Sequence, residues 1–324
     1  MTEPTSPLPL GHEAAIEAIR AAYESARMPH AWLITGIEGI GKATLAKHIA
    51  EFMLADSLDA TSAARHSAQR LVMAETHPDL LILRRPMDER TGEQKATLPV
   101  EEVLRIAAFL HKTATHGGWR VVILDEAHAL NRFGQNAILK IVEEPPPRTL
   151  ILLTATTAGA LLPTIRSRCR LLPLAPLEAA PMRAILKQAA AHLSDAEAAE
   201  LIALSGGSIG FALKLLHSGA LPFYHEMLAI LKGLPQLDVA RLHKLADQIA
   251  RKGESERFDV LTALLIERLR TVVQAEATQT PMGHVDLALR LWDKVRATIH
   301  LADTANLDRK LAFVTAMNEI RAGI

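Results

Sequence analysis

Apolar positions follow two different rhythms along this chain. In the first half they form short unbroken runs: Ala31 to Thr35, Leu80 to Leu83, Val121 to Leu124 and Leu150 to Leu153. Runs of four or five residues without a polar break predict strands buried on both faces. Separate stretches show the three- and four-residue spacing of a helix with one apolar face: Glu13 to Arg27, Lys42 to Leu54, Val100 to Leu110 and Phe133 to Val142. Pro145-Pro146-Pro147 stops the last of these, because proline has no N–H to donate and clashes with the preceding turn. Strands alternating with helices predict a parallel sheet covered on both faces. Residues 55 to 78 are small and polar and predict loop with some helix, and Arg85 to Lys95 reads as a charged, hairpin-like insert.

Beyond about Leu174 the β-branched runs vanish. Pro181 to Leu193, Asp195 to Leu204 and Ile209 to Ser218 predict three short helices. From Leu221 about five longer ones follow, including Phe258 to Ala275 and Leu287 to Asp303. Gly219 and Pro222 suit a boundary. The expected organisation is an α/β domain over residues 1–175, a three-helix domain over 176–219 and a helical domain over 220–324.

Composition narrows the classes. The chain has 324 residues, of which 49% are apolar, and a mean hydropathy of +0.13, which describes folded domains with proper cores. Lysine plus arginine and aspartate plus glutamate both number 36, so no global basic field draws it onto nucleic acid. Aromatic residues make up 4%, which argues against a base-stacking platform for single strands. The single cysteine, Cys169, excludes an internal disulfide and a multi-cysteine zinc site. No basic segment followed by an apolar core opens the chain, and the longest apolar stretch, around Leu150 to Leu162, is broken by threonines and a glycine. The expectation is a cytoplasmic protein without a membrane span.

Candidate chemistry sits at the ends of the predicted strands. Residues 36 to 43 read G-I-E-G-I-G-K-A. Gly36, Gly39, Gly41 and Lys42 stand where a phosphate-binding loop needs them, after an apolar strand and at the start of a helix whose N–H groups and dipole favour anions. The hydroxyl that follows the lysine and ligates Mg²⁺ is missing, since Ala43 occupies that place. Thr44 belongs to the same junction, but one residue along a helix is a rotation of about 100° away from the metal. The strand Val121 to Leu124 ends in Asp125-Glu126, which puts two carboxylates at the sheet edge beside the loop. Asp125 would hold Mg²⁺ through water and Glu126 would polarise an attacking water. The site therefore predicts ATP and Mg²⁺ chemistry impaired at Ala43. Asp125 to His128 also spells D-E-A-H, but a helicase needs a second sheet domain and residues 176–324 read as helical.

The segment Asn136-Ala137-Ile138-Leu139-Lys140-Ile141-Val142-Glu143-Glu144-Pro145-Pro146 resembles the N-A-L-L-K-x-L-E-E-P-P signature of AAA+ clamp-loader subunits. Arg27-Met28-Pro29-His30-Ala31 resembles their R-x-x-H-A lead-in, His77-Pro78-Asp79 also matches, and Ser167-Arg168-Cys169 resembles their S-R-C motif. Together these cover most of residues 10 to 175. The resemblance implies an AAA+ αβα domain followed by a helical lid and a helical collar. It also implies that Arg168 is an arginine finger reaching a neighbouring subunit's ATP, with Arg166 two residues away.

Within the family the chain is similar to the delta-prime branch of the bacterial DNA polymerase III loader more than to the ATP-hydrolysing gamma/tau branch. Ala43 replaces the magnesium hydroxyl, Gly210 stands in G-G-S-I-G-F-A-L where motors carry a sensor arginine, and Thr156 holds the first sensor position. One departure runs the other way: residues 55–76 lack the four cysteines of a zinc module, so no zinc is expected. The partners implied are gamma/tau and delta subunits, the sliding clamp, and primed DNA through the assembled complex, with Arg132 and Lys140 as candidate DNA contacts. The competing expectation is an active ATPase of the gamma/tau kind that tolerates Ala43 because Lys42, Asp125 and Glu126 remain. His30 and His77 read as structural, and Cys169 reads as a buried small hydrophobe.

Overall fold

The computed structural model describes residues 9–55, 62–88, 94–115, 118–251, 253–279, 282–304 and 308–323. The chain divides into two compact units, Met1–Ile185 with Gly206–Gly210, and Leu186–Ser205 with Phe211–Ile324.

The first unit is built on a five-stranded parallel sheet. Its elements run α1 (Glu13–Glu24), β1 (Ala31–Thr35), α2 (Lys42–Ala55), α3 (Ser62–Met73), β2 (Leu80–Leu83), α4 (Val100–Leu110), β3 (Arg120–Leu124), α5 (Arg132–Glu143), β4 (Thr149–Ala155), α6 (Pro163–Arg166) and β5 (Arg170–Pro173). The strands lie in the order β2-β3-β4-β1-β5, and all four pairings are parallel. Every residue of β1, β3 and β4 is buried, which is why they read as continuous apolar runs without alternation.

Successive side chains point to opposite faces of a strand. On one face Leu33, Val122, Leu124, Ile151 and Leu153 form a core with Val103, Ile106 and Leu110 of α4 and Ile138 and Val142 of α5. The buried Trp32, Ile34, Val121, Ile123, Leu150 and Leu152 point to the other face, where α2 packs on the sheet. Burying each leucine or isoleucine contributes about 1.5–3 kcal/mol relative to exposure, so the three central strands hold the site's edge rigid. Helix α5 starts where Asn131 Oδ1 accepts the N–H of Gly134 at 2.9 Å, satisfying one of the orphan amides of its first turn.

The pattern reading located four strands, and the described residues form five. The strand β5 was not expected: it is four residues long, lies on the edge of the sheet and exposes Arg170, Leu171 and Pro173. Its apolar signal is therefore a single buried Leu172. Residues 62–73, expected as loop with some helix, are a helix of twelve residues. Met87 and Gln94 pair antiparallel within the charged insert; residues 89–93 of it lie outside the described residues.

Next come α7 (Ala179–Ala189), α8 (Asp195–Ser205) and α9 (Ile209–His217), then α10 (Leu221–Lys232), α11 (Val239–Ile249), α12 (Ser255–Gln279), α13 (Met282–Thr304) and α14 (Arg309–Gly323). In the second unit α12, α13 and α14 pack in sequence and α11 closes against α14. Phe258, Leu261 and Leu265 of α12, Val295 of α13 and Phe313, Ala316 and Met317 of α14 are fully buried. No helix among the described residues is long and apolar enough to cross a membrane.

Candidate functional site

The strand β1 delivers the chain into the glycine loop, and the loop delivers it into α2. Gly39 at φ 73° and Gly41 at φ 106° hold backbone conformations that a side chain resists. Lys42 opens α2, is 8% exposed, and turns its ammonium back onto the carbonyls of Gly36 and Ile37, both at 2.8 Å. Burial lowers its pKa from the ordinary lysine value, while Asp125, Glu38 and Glu126 favour its charge. The three further carbonyls of the loop are also taken. Glu38 accepts from Ser208 Oγ at 2.7 Å, Gly39 from the N–H of Gly210 at 2.7 Å, and Ile40 lies 2.8 Å from His12 Nε2. Ala43 and Thr44 follow on α2, both half-buried.

Register brings the carboxylates to the same edge. Leu33, Leu153 and Leu124 lie level across β1, β4 and β3, so Asp125 and Glu126 leave the sheet beside the loop. Thr154 Oγ1, buried in β4, donates to Asp125 Oδ1 at 2.6 Å and accepts the Glu126 N–H at 2.8 Å. Glu126 is left-handed at φ 53°. Its carboxylate is forked by Arg85, Nε to Oε2 at 2.6 Å and Nη2 to Oε1 at 2.9 Å, the bidentate geometry that a guanidinium favours. While that fork holds, both Glu126 oxygens are engaged by Arg85. Thr156, at the end of β4, accepts the Gly36 N–H on its carbonyl at 3.3 Å. The site fits phosphates through its glycines, Lys42 and the start of α2, and Asp125 and Glu126 are the carboxylates beside it, while Ala43 carries no side-chain oxygen.

Arg168 lies elsewhere. It ends the α6 turn just before β5, and β5 runs parallel to β1 with Arg170 level with Trp32. Arg168 is therefore at the strands' N-terminal edge and the loop at their C-terminal edge. Ala31 to Thr35 alone spans about 13 Å at ~3.3 Å per residue. The Arg168 side chain is 39% exposed, and its guanidinium is held by Thr164 O at 2.9 Å, Ser167 Oγ at 3.4 Å and Glu143 Oε1 at 2.8 Å. Neighbouring Cys169 is half-buried, and burial pushes its thiol up to about 11.

The structure thus gathers Gly36, Gly39, Gly41, Lys42, Asp125, Glu126 and Thr156 at one edge and sets Arg168 at the other. Three functional neighbours escaped the sequence reading. Arg85 was absorbed into the charged insert, yet β2 pairs residue n with residue n + 41 of β3, which already puts Arg85 level with Glu126. Thr154 was passed over for Thr156. Glu143 was read only as part of a motif. The remaining motif histidines are structural: His30 Nε2 lies 2.9 Å from Val142 O, and His77 Nδ1 accepts the Asp79 N–H at 3.1 Å. Arg132 and Lys140 are exposed on α5 two turns apart, on one face of the helix. Among the described residues no cluster of three or more histidine, cysteine or acidic side chains could hold a metal.

A parallel sheet in this order, with a glycine loop after β1 and paired carboxylates after β3, defines a P-loop domain of the AAA+ class. The chain belongs to the DNA polymerase III delta-subunit family, whose model matches residues 11–178. A DNA polymerase III subunit delta' of Pseudomonas aeruginosa is 40% identical over 187 residues, 56% of this chain and 54% of its own. A subunit delta' of Escherichia coli K12 is 29% identical over 307 residues, 93% of this chain and 89% of its own. A subunit gamma/tau of Mycobacterium tuberculosis is 27% identical over 335 residues, 96% of this chain and 57% of its own. The match thus spans little more than half of the Pseudomonas and Mycobacterium relatives.

Proposed function

We propose that this chain is a delta-prime-like stator of a clamp loader. It assembles with gamma/tau- and delta-type ATPase-complex subunits through its AAA+ and collar faces and offers Arg168 to the ATP of a neighbour. The neighbour's ATP-driven closure then loads the sliding clamp onto primed DNA in the cytoplasm. The division expected from sequence, αβα domain to 175, lid to 219 and collar to 324, is part of this proposal.

The observation that carries the reading is the separation of Arg168 from Lys42 by the length of the sheet. An arginine at the strands' N-terminal edge cannot stabilise phosphoryl charge at its own loop, and it can do so for a subunit packed against that edge. Arginine fingers are worth roughly 10³ to 10⁵ in rate. The chain's own loop supports the same reading, with Lys42 spent on loop carbonyls, Ala43 lacking a hydroxyl and Glu126 forked by Arg85. Its phosphate cradle is compatible with holding a nucleotide without turning it over.

In a reconstituted loader, Arg168→Ala cripples clamp loading by two or more orders of magnitude, while Lys42→Ala leaves it within a few-fold. The reverse ranking overturns the stator reading. The competing reading is a gamma/tau-like motor, favoured by the retention of Lys42, Asp125 and Glu126. Steady ATP turnover by the isolated chain, abolished by Glu126→Gln, would establish it.

A further inference from the structure

We propose that Glu143 is the positioning residue for the Arg168 guanidinium, an inference that rests on the reading of Arg168 as a finger in trans. An arginine side chain has many rotamers open to it, and a catalytic group displaced by an ångström can lose about 10² in rate. A finger built on a surface turn therefore needs an external hold.

Two of the three acceptors on Arg168 cannot supply it. Thr164 O and Ser167 Oγ belong to the same short turn as Arg168 and move with it. Glu143 comes from a different element. It is the last residue of α5, the helix whose Ile138 and Val142 are each 1% exposed against the sheet. The carbonyl before it, that of Val142, is fastened to His30 at the entrance to β1. The carboxylate thus stands on a rigid platform and reaches the Nη2 side of the guanidinium at 2.8 Å, while Thr164 O takes Nη1.

Two anchors on different nitrogens fix the plane of the fork. A guanidinium has five N–H groups, so holding it this way leaves donors for a phosphoryl oxygen. Both partners are 39% exposed, and an ion pair so open to solvent stabilises a fold by about 1 kcal/mol at most. What Glu143 supplies is direction.

The test is ATP turnover by the reconstituted loader containing Glu143→Ala, Glu143→Gln, Arg168→Ala or the double variant Glu143→Ala/Arg168→Ala, with assembly checked by gel filtration. Glu143→Ala is expected to lower kcat about five-fold, the factor an exposed ion pair can supply, with KM for ATP unchanged. Such a split marks an interaction realised in the transition state. Glu143→Gln, which keeps an oxygen acceptor, recovers most of the loss. In the Arg168→Ala background Glu143→Ala adds nothing. A silent Glu143→Ala beside a crippling Arg168→Ala overturns the positioning role and leaves the finger reading intact. A silent Arg168→Ala overturns that reading and this inference with it. A faster rate, an effect persisting without Arg168, or failed assembly with Glu143→Ala each overturns the positioning role.

Discussion

Gly210 donates its backbone N–H to the carbonyl of Gly39 at 2.7 Å, and a Cβ added to Gly210 would lie 2.7 Å from the Gly39 Cα and 3.0 Å from its oxygen. Real Cβ atoms do not approach backbone that closely, so this contact requires glycine at 210. Beside it Ser208 Oγ holds the Glu38 carbonyl. The segment Gly206–Gly210 is thereby fastened to the glycine loop at two successive peptides. In motor-type relatives of the resemblance, an arginine belongs at the position of Gly210. Any side chain at position 210 would have to displace the loop's backbone.

Gly210→Ala is accordingly expected to break or stretch the contact and to lower stability by about 1–3 kcal/mol, the range for forcing atoms into packed space. Gly159→Ala is the control, because a Cβ there meets nothing within 4 Å, and such a surface change stays within about 0.5 kcal/mol. Chemical denaturation of both variants checks this. Equal midpoints would mean that the segment yields without cost.

Thr154 is the hinge of the carboxylate pair. It is fully buried, donates to Asp125 and accepts from the Glu126 amide. Thr154→Val keeps the shape and removes both bonds, leaving a buried amide and a carboxylate oxygen without that partner. The expected loss is about 1–3 kcal/mol of stability, read by denaturation, with no effect on Arg168-dependent turnover in the loader.

Much of this was legible in the chain. Leu80–Leu83 and Val100–Leu110 form the strand and the helix that their patterns predict, residue for residue, because an unbroken apolar run and a one-faced helix carry strong signals. The strand β5 was illegible because an exposed edge strand of four residues has almost no apolar content to read. The glycine loop and Asp125-Glu126 are local motifs and were found. Arg85 and Glu143 act through partners 41 and 25 residues away, contacts that depend on strand register and helix placement. The first was recoverable once β2 and β3 were paired. The second needs the packed position of α5 against the α6 turn.

Cys169 offers a pH-dependent test. Burial raises its thiol to about 11, and only the thiolate reacts with alkylating reagents. In the native protein the thiolate stays scarce through pH 8 to 9 and accumulates only as pH approaches 11, so iodoacetamide labelling is slow at pH 8 and climbs until then. After denaturation the same thiol titrates near the ordinary value and labels quickly at pH 8. Equal native and denatured rates at pH 8 would remove the buried-thiol assignment and leave Cys169 open to redox chemistry.

Restoring the missing hydroxyl separates binding from turnover. Ala43→Thr supplies the Mg²⁺ ligand that the loop lacks, and nucleotide affinity in the presence of Mg²⁺ is expected to rise by about ten-fold or more, as when a metal site regains a supporting group. Affinity without Mg²⁺ should not change. Hydrolysis should remain low, since Arg85 still forks both oxygens of Glu126. Adding Arg85→Ala in that background frees the carboxylate to act on water, for which general-base catalysis offers roughly 10² in rate. Calorimetric titration with ATP and a phosphate-release assay on the isolated chain read the two effects independently. Fast turnover by Ala43→Thr alone would show that the Arg85 fork does not restrain Glu126. No gain from the double change would show that neither Ala43 nor the Arg85 fork is what limits turnover at this loop.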